Sequence, residues 1–372
     1  MVRPPDALIP TPALRGWVHD LFRAAGASAI EAERTADHLV EANLTGHDSH
    51  GVGMAPRYIA SLLAGELRLG QSLEMVVDAG SLLVVDGRQG LGQSIGHQAM
   101  ALAIERARAQ GCVVMALRNA HHLGRIGHWA EQAVAAGFAS VHFTNVVAGK
   151  PAVAPFGGAE ARFVTNPFTV GLPVPGSAPL ILDFATSAIA QGKVRVAYNR
   201  GERVSGDCLI DAEGRPTDDP GVLFEAREGR FGALRTMGAH KGSALAITCE
   251  LLAGALAGGS TMHPGSKLPM AGVWNNMFTI VFDPSRLATG AAFEREAHEF
   301  IAWVQSAPPS PDNPEGMILT PGQAERQSRS ARARAIAIDA TTLAQMDQAS
   351  ADVAGRFGQS PGPLSALDRG CS

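Results

Sequence analysis

The run Cys112-Val113-Val114-Met115-Ala116-Leu117 is apolar throughout and comes directly after a helical pattern that spans about Ser94 to Gln110. A continuous apolar run this short, bounded by polar residues, reads as a buried strand, and a helix leading into it is a piece of an α/β layer. After it stands Arg118-Asn119-Ala120-His121-His122-Leu123-Gly124-Arg125, so ionisable side chains occupy the point where the strand gives way to a loop. Open α/β enzymes keep their chemistry at such ends, and imidazole is the side chain best matched to moving a proton near neutral pH.

The same change of period recurs along the chain. From Pro12 to about Leu44 the pattern is helical, with Leu14, Val18, Leu21 and Phe22 on one face and Ser28-Ala29-Ile30-Glu31 as a capping box that opens a second helix. Gly46 ends this module, and Gly51–Leu63 reads as a loop and another helix. Short strands are expected at Leu73–Val77, Leu82–Val85, Val113–Leu117 and, beyond a helix over Ile126–Ala136, at Ala139–Thr144. Pro151, Pro155, Pro167, Pro173, Pro175 and Pro179, with glycines between them, favour further short strands over helices. Residues 204–230 are charged and turn-rich and read as a surface excursion. Lys241–Leu256 reads as an apolar helix, Phe278–Phe282 as a strand ended by Asp283-Pro284, and helices follow at about Ala292–Val304 and Thr341–Arg356. Between these two, Ala307-Pro308-Pro309-Ser310-Pro311 is a stiff connector. The expected class is α/β, with terminal helical segments packing together beside a helix-covered sheet.

At 372 residues the chain exceeds one average domain, so two folding units, or one large α/β unit with a helical appendage, are expected. Lys and Arg number 31 against 35 Asp and Glu, and the net charge of -4 gives no electrostatic reason to bind nucleic acid or an anionic membrane. Cys112, Cys208, Cys249 and Cys371 are dispersed, so disulfides are not expected. Met1-Val2-Arg3-Pro4-Pro5 lacks an apolar signal region and no stretch is long and apolar enough to span a bilayer, which makes the cytoplasm the expected location.

Several clusters invite a functional reading. Gly90-Leu91-Gly92-Gln93-Ser94-Ile95-Gly96 imitates a dinucleotide fingerprint, but its spacing is one residue too long and the next strand ends in Arg118-Asn119 instead of an acid, so a plain glycine turn is expected. His121, His122, His128 and His142 bring imidazoles together without a close carboxylate or cysteine, and no metal site is expected. Gly46-His47-Asp48-Ser49-His50-Gly51 holds acid, hydroxyl and imidazole, yet neighbours on one backbone do not converge as a triad does; Ser49 and His50 are better read as pointing into a cleft. Lys241 at a helix start suits a phosphate, and Asn275-Asn276 suits either a ligand amide or a turn.

Taken together, Ser49-His50-Gly51 with Pro56-Arg57-Tyr58, Asn119-Ala120-His121-His122-Leu123-Gly124, Ala154-Pro155-Phe156-Gly157-Gly158, Thr165-Asn166-Pro167, Asp183-Phe184-Ala185-Thr186-Ser187, Lys241-Gly242 and Pro321-Gly322 resemble the type-2 malate/L-lactate dehydrogenase family. The similarity runs in order from about Pro12 to Arg356 and is nearest to the hydroxycarboxylate dehydrogenase B branch. It implies a non-Rossmann mixed β-sheet flanked by helices that binds NAD, or NADP, over residues 76–284. It also implies a helical module built from residues 1–75 and 285–372, and a homodimer with its cleft between the modules. Carried over by motif, His122 is the general acid/base, with His50 and Ser49 as substrate-side catalytic groups and His50 as the rival for the proton. Val146, Asp183, Phe184, Ala185, Lys241, Asn275, Asn276 and Met277 correspond to cofactor contacts.

One departure bears on the substrate. Many relatives in the family this chain resembles carry Arg shortly after Ser-His-Gly, where a guanidinium can hold a carboxylate by two parallel hydrogen bonds, but here Met54 stands there. Arg125, three residues beyond His122, is expected to supply the charge instead, with Arg57 also on the substrate side. The implied reaction interconverts a 2-oxo acid and a 2-hydroxy acid, with a cyclic imine or a diketo sugar acid as the alternative substrate. A non-catalytic ligand-binding relic and a metal-dependent hydrolase are the readings from other classes.

Overall fold

The computed structural model describes residues 6–204, 207–313 and 316–368. Met1–Pro5 and Cys371 lie outside the described residues, and Cys112 and Cys249 are free thiols. In chain order the strands are β1 (Ala7–Pro10), β2 (Glu74–Ala79), β3 (Leu82–Asp86), β4 (Cys112–His121), β5 (Ala139–Ala148), β6 (Phe168–Leu172), β7 (Leu180–Phe184), β8 (Leu209–Ile210), β9 (Pro216–Thr217), β10 (Ala233–Leu234), β11 (Val273–Phe282) and β12 (Ala335–Ile338). The helices are α1 (Thr11–Ala24), α2 (Ala29–Leu44), α3 (Ala55–Leu63), α4 (Gly92–Gln110), α5 (Gly127–Ala135), α6 (Gln191–Arg200), α7 (His240–Cys249), α8 (Gly290–Gln305), α9 (Gln323–Arg332) and α10 (Ala340–Phe357).

Seven strands form one sheet in the order β2-β3-β4-β11-β5-β6-β7. Only β3 and β4 pair in parallel; the other neighbours are antiparallel, so the sheet is mixed and mostly antiparallel, unlike a Rossmann layer. Because β11 lies between β4 and β5 and runs against both, β3, β4, β5 and β7 point the same way. Their carboxyl ends share one edge with the amino end of β11, and that edge carries the site. Strand alternation sends Leu83, Val85, Val113, Met115, Leu117, Met277 and Val281 to the face covered by α4 and α5, where all are buried.

A second core joins the two ends of the chain: Leu14, Val18, Leu21 and Phe22 of α1 and Leu39 of α2 pack with Ile336, Met346, Val353 and Leu364. The predicted capping box is present, Glu31 N–H donating to Ser28 Oγ while Ser28 N–H donates to Glu31 Oε2. The ends are also tied by β1 against β12. These four-residue strands carry no alternation long enough to recognise in sequence. The stretch expected as a surface excursion instead builds part of a three-stranded sheet, β10-β8-β9, whose Leu209 and Leu234 pack with Val153, Phe163, Val194 and Leu223. Two-residue strands hidden among charged turns explain why the excursion was expected. The helix expected over Lys241–Leu256 is α-helical only to Cys249 and continues as a π-helix over Glu250–Leu256.

Candidate active site

The last residue of β4, His121, and the first of the loop after it, His122, stand at the sheet edge, and their rings part company at once. His122 Nδ1 lies 2.6 Å from the hydroxyl of Tyr58 on α3, whereas His121 Nε2 lies 3.0 Å from Ser61 Oγ one turn further along that helix. Gln93 Nε2 on α4 donates to both Tyr58 Oη (3.0 Å) and His122 O (3.1 Å). The phenol oxygen of Tyr58 has two lone pairs, so beside the bond from Gln93 it can accept from Nδ1–H, and in that tautomer neutral His122 leaves Nε2 bare. The His50 ring stacks on His122 with centroids 5.4 Å apart and planes at 12°.

The glycines expected as a plain turn have another reason to be there. None of Gly90, Gly92 and Gly96 has positive φ; the left-handed residues of that loop are Arg88 and Gln89. A Cβ on Gly92 would stand 2.0 Å from His122 O, and one on Gly96 would stand 2.4 Å from the Trp129 ring. These positions are small so that α4 can press against the histidine loop and α5. Gly124, at φ +74, is confined likewise, since a Cβ there would reach His38 Nε2 at 2.1 Å.

Arg125 is buried, at 2% exposure. Its backbone N–H donates to His38 Nε2 and its Nη2 pairs with Glu131, leaving Nε and Nη1 without a partner among the described residues. A Cβ on Gly127 would meet both Arg125 Nη1 (2.6 Å) and Asp183 Oδ2 (2.8 Å), so cation and carboxylate converge at the start of α5. Asp183 accepts from Gly127 N–H at 2.7 Å and from Thr169 Oγ1 at 2.7 Å, which caps that helix. Arg57 donates from Nε and Nη2 to the carbonyls of Ala271 and Gly272 at the mouth. Met54 packs against the terminal core, away from Arg57's partners. Ser49 lies under the first turn of α6, where a Cβ on Gly192 would stand 2.4 Å from Ser49 Cβ.

The remaining predicted residues divide. Asn275 and Asn276 are buried and their amides are used internally: Asn275 Oδ1 accepts from Leu123 N–H and Asn276 Oδ1 from Asn119 N–H, both at 2.8 Å, so they hold the histidine loop from beneath. Met277 is wholly buried behind them. Alternation separates Asp183 from Phe184, whose ring turns to the other sheet face against Phe168 (5.8 Å). A hydrogen-bonded seam links Val146 to Lys241: Val146 N–H to Asn166 Oδ1, Thr186 N–H to Thr165 O, and Met237 N–H to Thr186 O. Ala185 adjoins this seam, and exposed Lys241 stands at its far end beyond Ala239, whose φ of 56° and ψ of -118° are unusual for a residue with a Cβ.

Burial dominates the electrostatics. It lowers His122 well below the usual imidazole value, with His50, His121 and Arg57 adding to the effect. His50 is brought to about 4, burial outweighing the opposing pull of Asp183, and His121 to about 3. Burial raises the Tyr58 hydroxyl, which keeps it protonated. Sequence reasoning assigned no part to Tyr58, Gln93, His38 or Glu131. Tyr58 stood inside a quoted motif, but its partner depends on how α3 meets the sheet edge.

Among the described residues no group of three or more His, Cys, Asp or Glu is arranged to hold a metal ion. The malate/L-lactate dehydrogenase family model matches residues 9–347. Hydroxycarboxylate dehydrogenase B of Escherichia coli O157:H7 is 44% identical over 95% of both chains, and an L-lactate dehydrogenase of Cupriavidus necator is 40% identical over 85% of this chain and 89% of its own. The solved structure of a candidate malate/lactate dehydrogenase from E. coli superposes with a TM-score of 0.88 at 42% identity, covering 97% of each chain. A family match across most of the length, on a mixed sheet shared with solved relatives, shows that this chain belongs to the malate/L-lactate dehydrogenase family.

Proposed function

We propose that the chain interconverts a 2-oxo acid and its 2-hydroxy acid with NAD, or with NADP, using His122 as the proton donor and acceptor. The observation that carries the reading is the stacked His50–His122 pair, anchored through Nδ1 to Tyr58 and set near a buried arginine with two partnerless nitrogens. The names of two relatives, hydroxycarboxylate dehydrogenase B and L-lactate dehydrogenase, support the same chemistry. Bound nicotinamide supplies or accepts the hydride. The seam from Val146 through Ala185 to Lys241, with strained Ala239 near its end, fits a long polar dinucleotide, while Asn275, Asn276 and Met277 shape its floor and Asp183 with Phe184 orients the strand beside it.

His122 offers Nε2 to the substrate oxygen, and Nδ1 keeps its hydrogen, donated to Tyr58, in either charge state. An anionic substrate beside His122 favours its protonated form, offsetting part of the burial penalty. In reduction that proton goes to the developing alkoxide; in oxidation His122 takes the hydroxyl proton. Ser49 and His50 are the remaining donors toward the oxyanion. Arg125 provides the carboxylate clamp that Met54 does not, and Arg57 adds positive charge at the mouth.

The test follows nicotinamide absorbance across a panel of 2-oxo acids, with and without chelator. His122→Asn is expected to fold, bind the cofactor and lose roughly 10²–10⁴ in kcat. Wild-type turnover in this variant would pass the role to His50, and chelator-sensitive activity independent of nicotinamide would replace the proposal with a metal hydrolase. Arg125→Met is expected to raise KM for 2-oxo acids by about ten- to a hundredfold, the worth of hydrogen bonds to a charged group. An unchanged KM removes Arg125 from the clamp. A cyclic imine acid belongs on the panel because a Δ1-pyrroline-2-carboxylate/Δ1-piperideine-2-carboxylate reductase of Pseudomonas syringae pv. tomato is 32% identical over 80% of this chain and 85% of its own.

A further inference from the structure

Beneath the site, two arms of buried amides converge on one carboxylate. Glu250 opens the π-helical segment that follows α7 and packs on β5 and β11. Its Oε1 accepts from Asn166 Nδ2 at 2.9 Å, and its Oε2 accepts from Asn145 Nδ2 and from Met262 N–H, both at 3.2 Å. One arm continues through Asn166, whose Oδ1 accepts from Val146 N–H at 3.0 Å. The other continues through Asn145 Oδ1, which accepts from Asn276 Nδ2 at 2.9 Å, to Asn276 Oδ1 and the backbone N–H of Asn119. None of the three amides is more than 2% exposed. The segment after Glu250 is cut away to let them in: a Cβ on Gly254 would stand 2.8 Å from Asn145 Nδ2, and one on Gly259 would stand 2.2 Å from Asn276 Oδ1. Asn166 holds its place at a φ of +25°, a backbone cost that persists where the surroundings over-determine a residue.

The direction of both arms is fixed at their far ends. A backbone N–H only donates, so each amide must turn its oxygen toward the site and its nitrogen toward the helix. The group that closes the arms must then accept without donating, which an ionised carboxylate does and an amide of equal size does not. Burial raises the Glu250 carboxyl above its ordinary value, and the bonds from Asn166, Asn145 and Met262 pull the other way. A hydrophobic side chain would fill the same space without that penalty, so packing alone does not account for an acid here. Breaks of α-helix into π-helix gather at functional sites, and this one begins at the residue that joins the arms.

We infer that Glu250 is a positioning residue for the reaction: as the acceptor shared by both arms, it sets Val146 N–H in the bed of the cofactor and the Asn119 end of the histidine loop in one arrangement. The inference rests on the reading of the seam from Val146 as the place of the dinucleotide. Arg125 lies outside both arms, so the hold on the oxo acid is independent of Glu250.

A polarity swap tests this, read by fluorescence titration with NADH, and with NADPH in parallel, and by kinetics on the most active 2-oxo acid. Glu250→Gln sets amide nitrogen against amide nitrogen, and Asn166→Asp sets carboxylate against carboxylate. Each is expected to raise the cofactor dissociation constant roughly tenfold or more, the consequence of leaving buried groups unpaired, while KM for the oxo acid at saturating cofactor is unchanged. Glu250→Gln is also expected to lower kcat about tenfold, because the histidine loop loses its register. In the double variant a donor again faces an acceptor, and the new amide keeps an oxygen for Asn145 and Met262. The dissociation constant is expected to return to within about fivefold of wild type, the bond from Asn166 Nδ2 to Ala246 O being the part not recovered. Circular dichroism follows the fold of each variant, and recovery in the double variant supports the inference even where a single variant fails to fold. Cofactor affinity and kcat unmoved in Glu250→Gln, or a double variant no better than the singles, overturns it. A wild type that binds neither NADH nor NADPH overturns the functional reading, and this inference with it.

Discussion

One ring nitrogen of His122 is already committed, and the commitment is made by residues of two helices, Tyr58 on α3 and Gln93 on α4. Tyr58 fixes Nδ1, and Gln93 fixes Tyr58 while also gripping His122 O, so ring and backbone are held from one point. Gly92 makes this possible, because any side chain there would collide with the carbonyl that Gln93 binds. In Tyr58→Phe the ring keeps its packing against His121 at 5.0 Å, but buried Nδ1 loses its partner. An unsatisfied buried group costs roughly 1–3 kcal/mol and frees the imidazole to turn. The expected result is a kcat lowered about ten- to a hundredfold, little change in KM, and a shifted acidic limb in the pH–rate profile. Steady-state kinetics across pH checks this; a profile identical to the wild type would reduce Tyr58 to packing.

At the scale of elements, the site is a meeting of pieces far apart in sequence. Helix α3 brings Tyr58, α4 brings Gln93, the β4 loop brings His122, and α6 closes over Ser49 with Gly192 as its point of contact. Gly192→Ala would force the first turn of α6 and the Ser49 loop apart, since a Cβ at 2.4 Å from Ser49 Cβ must displace something, and such overpacking costs about 1–3 kcal/mol. KM is expected to rise several-fold with a modest fall in melting temperature, measured by kinetics and thermal unfolding; both unchanged would show that the contact relaxes freely. This assembly also separates what was legible from what was not. Ser49, His50 and His122 lie in contiguous motifs at helix or strand ends, where local pattern and chemistry coincide, and long periodic segments such as α4 and β4 were legible for the same reason. The insertion of β11 between β4 and β5 is set by packing between distant segments, so neither the strand order nor the grip of Asn275 and Asn276 on the histidine loop could be read locally. The purpose of Gly92 was hidden because a glycine in a turn and one required for close approach look alike in sequence.

For the whole molecule, the same burial that tunes the site makes stability depend on pH. His38, His50, His121, His122, His128 and His142 are all lowered, with burial the first cause in each; His121 and His128 come to about 3, His50 and His142 to about 4. Their settings differ: His142 bonds Thr279 and Ser140 within the sheet, and His128 packs at a tilt on His38 and edge-on to Trp129. In the unfolded chain each imidazole returns to about 6.5. Between that value and the folded one, the unfolded state binds more protons, so stability is complete above pH 6.5 and falls as pH drops toward 4. Each neutral buried histidine then costs roughly 1.4 kcal/mol per pH unit within the window, and several acting together make the fall steep. Thermal unfolding at pH 8, 7, 6 and 5 is expected to show a plateau followed by an accelerating loss below 6.5. The interval from 6.5 to 5 isolates the histidines, because carboxylates of ordinary pKa, near 4, titrate mainly below it. A melting temperature that stays level to pH 5 would mean that the folded and unfolded chains bind protons alike across this window, so that burial does not hold these imidazoles, His122 among them, neutral below their ordinary value.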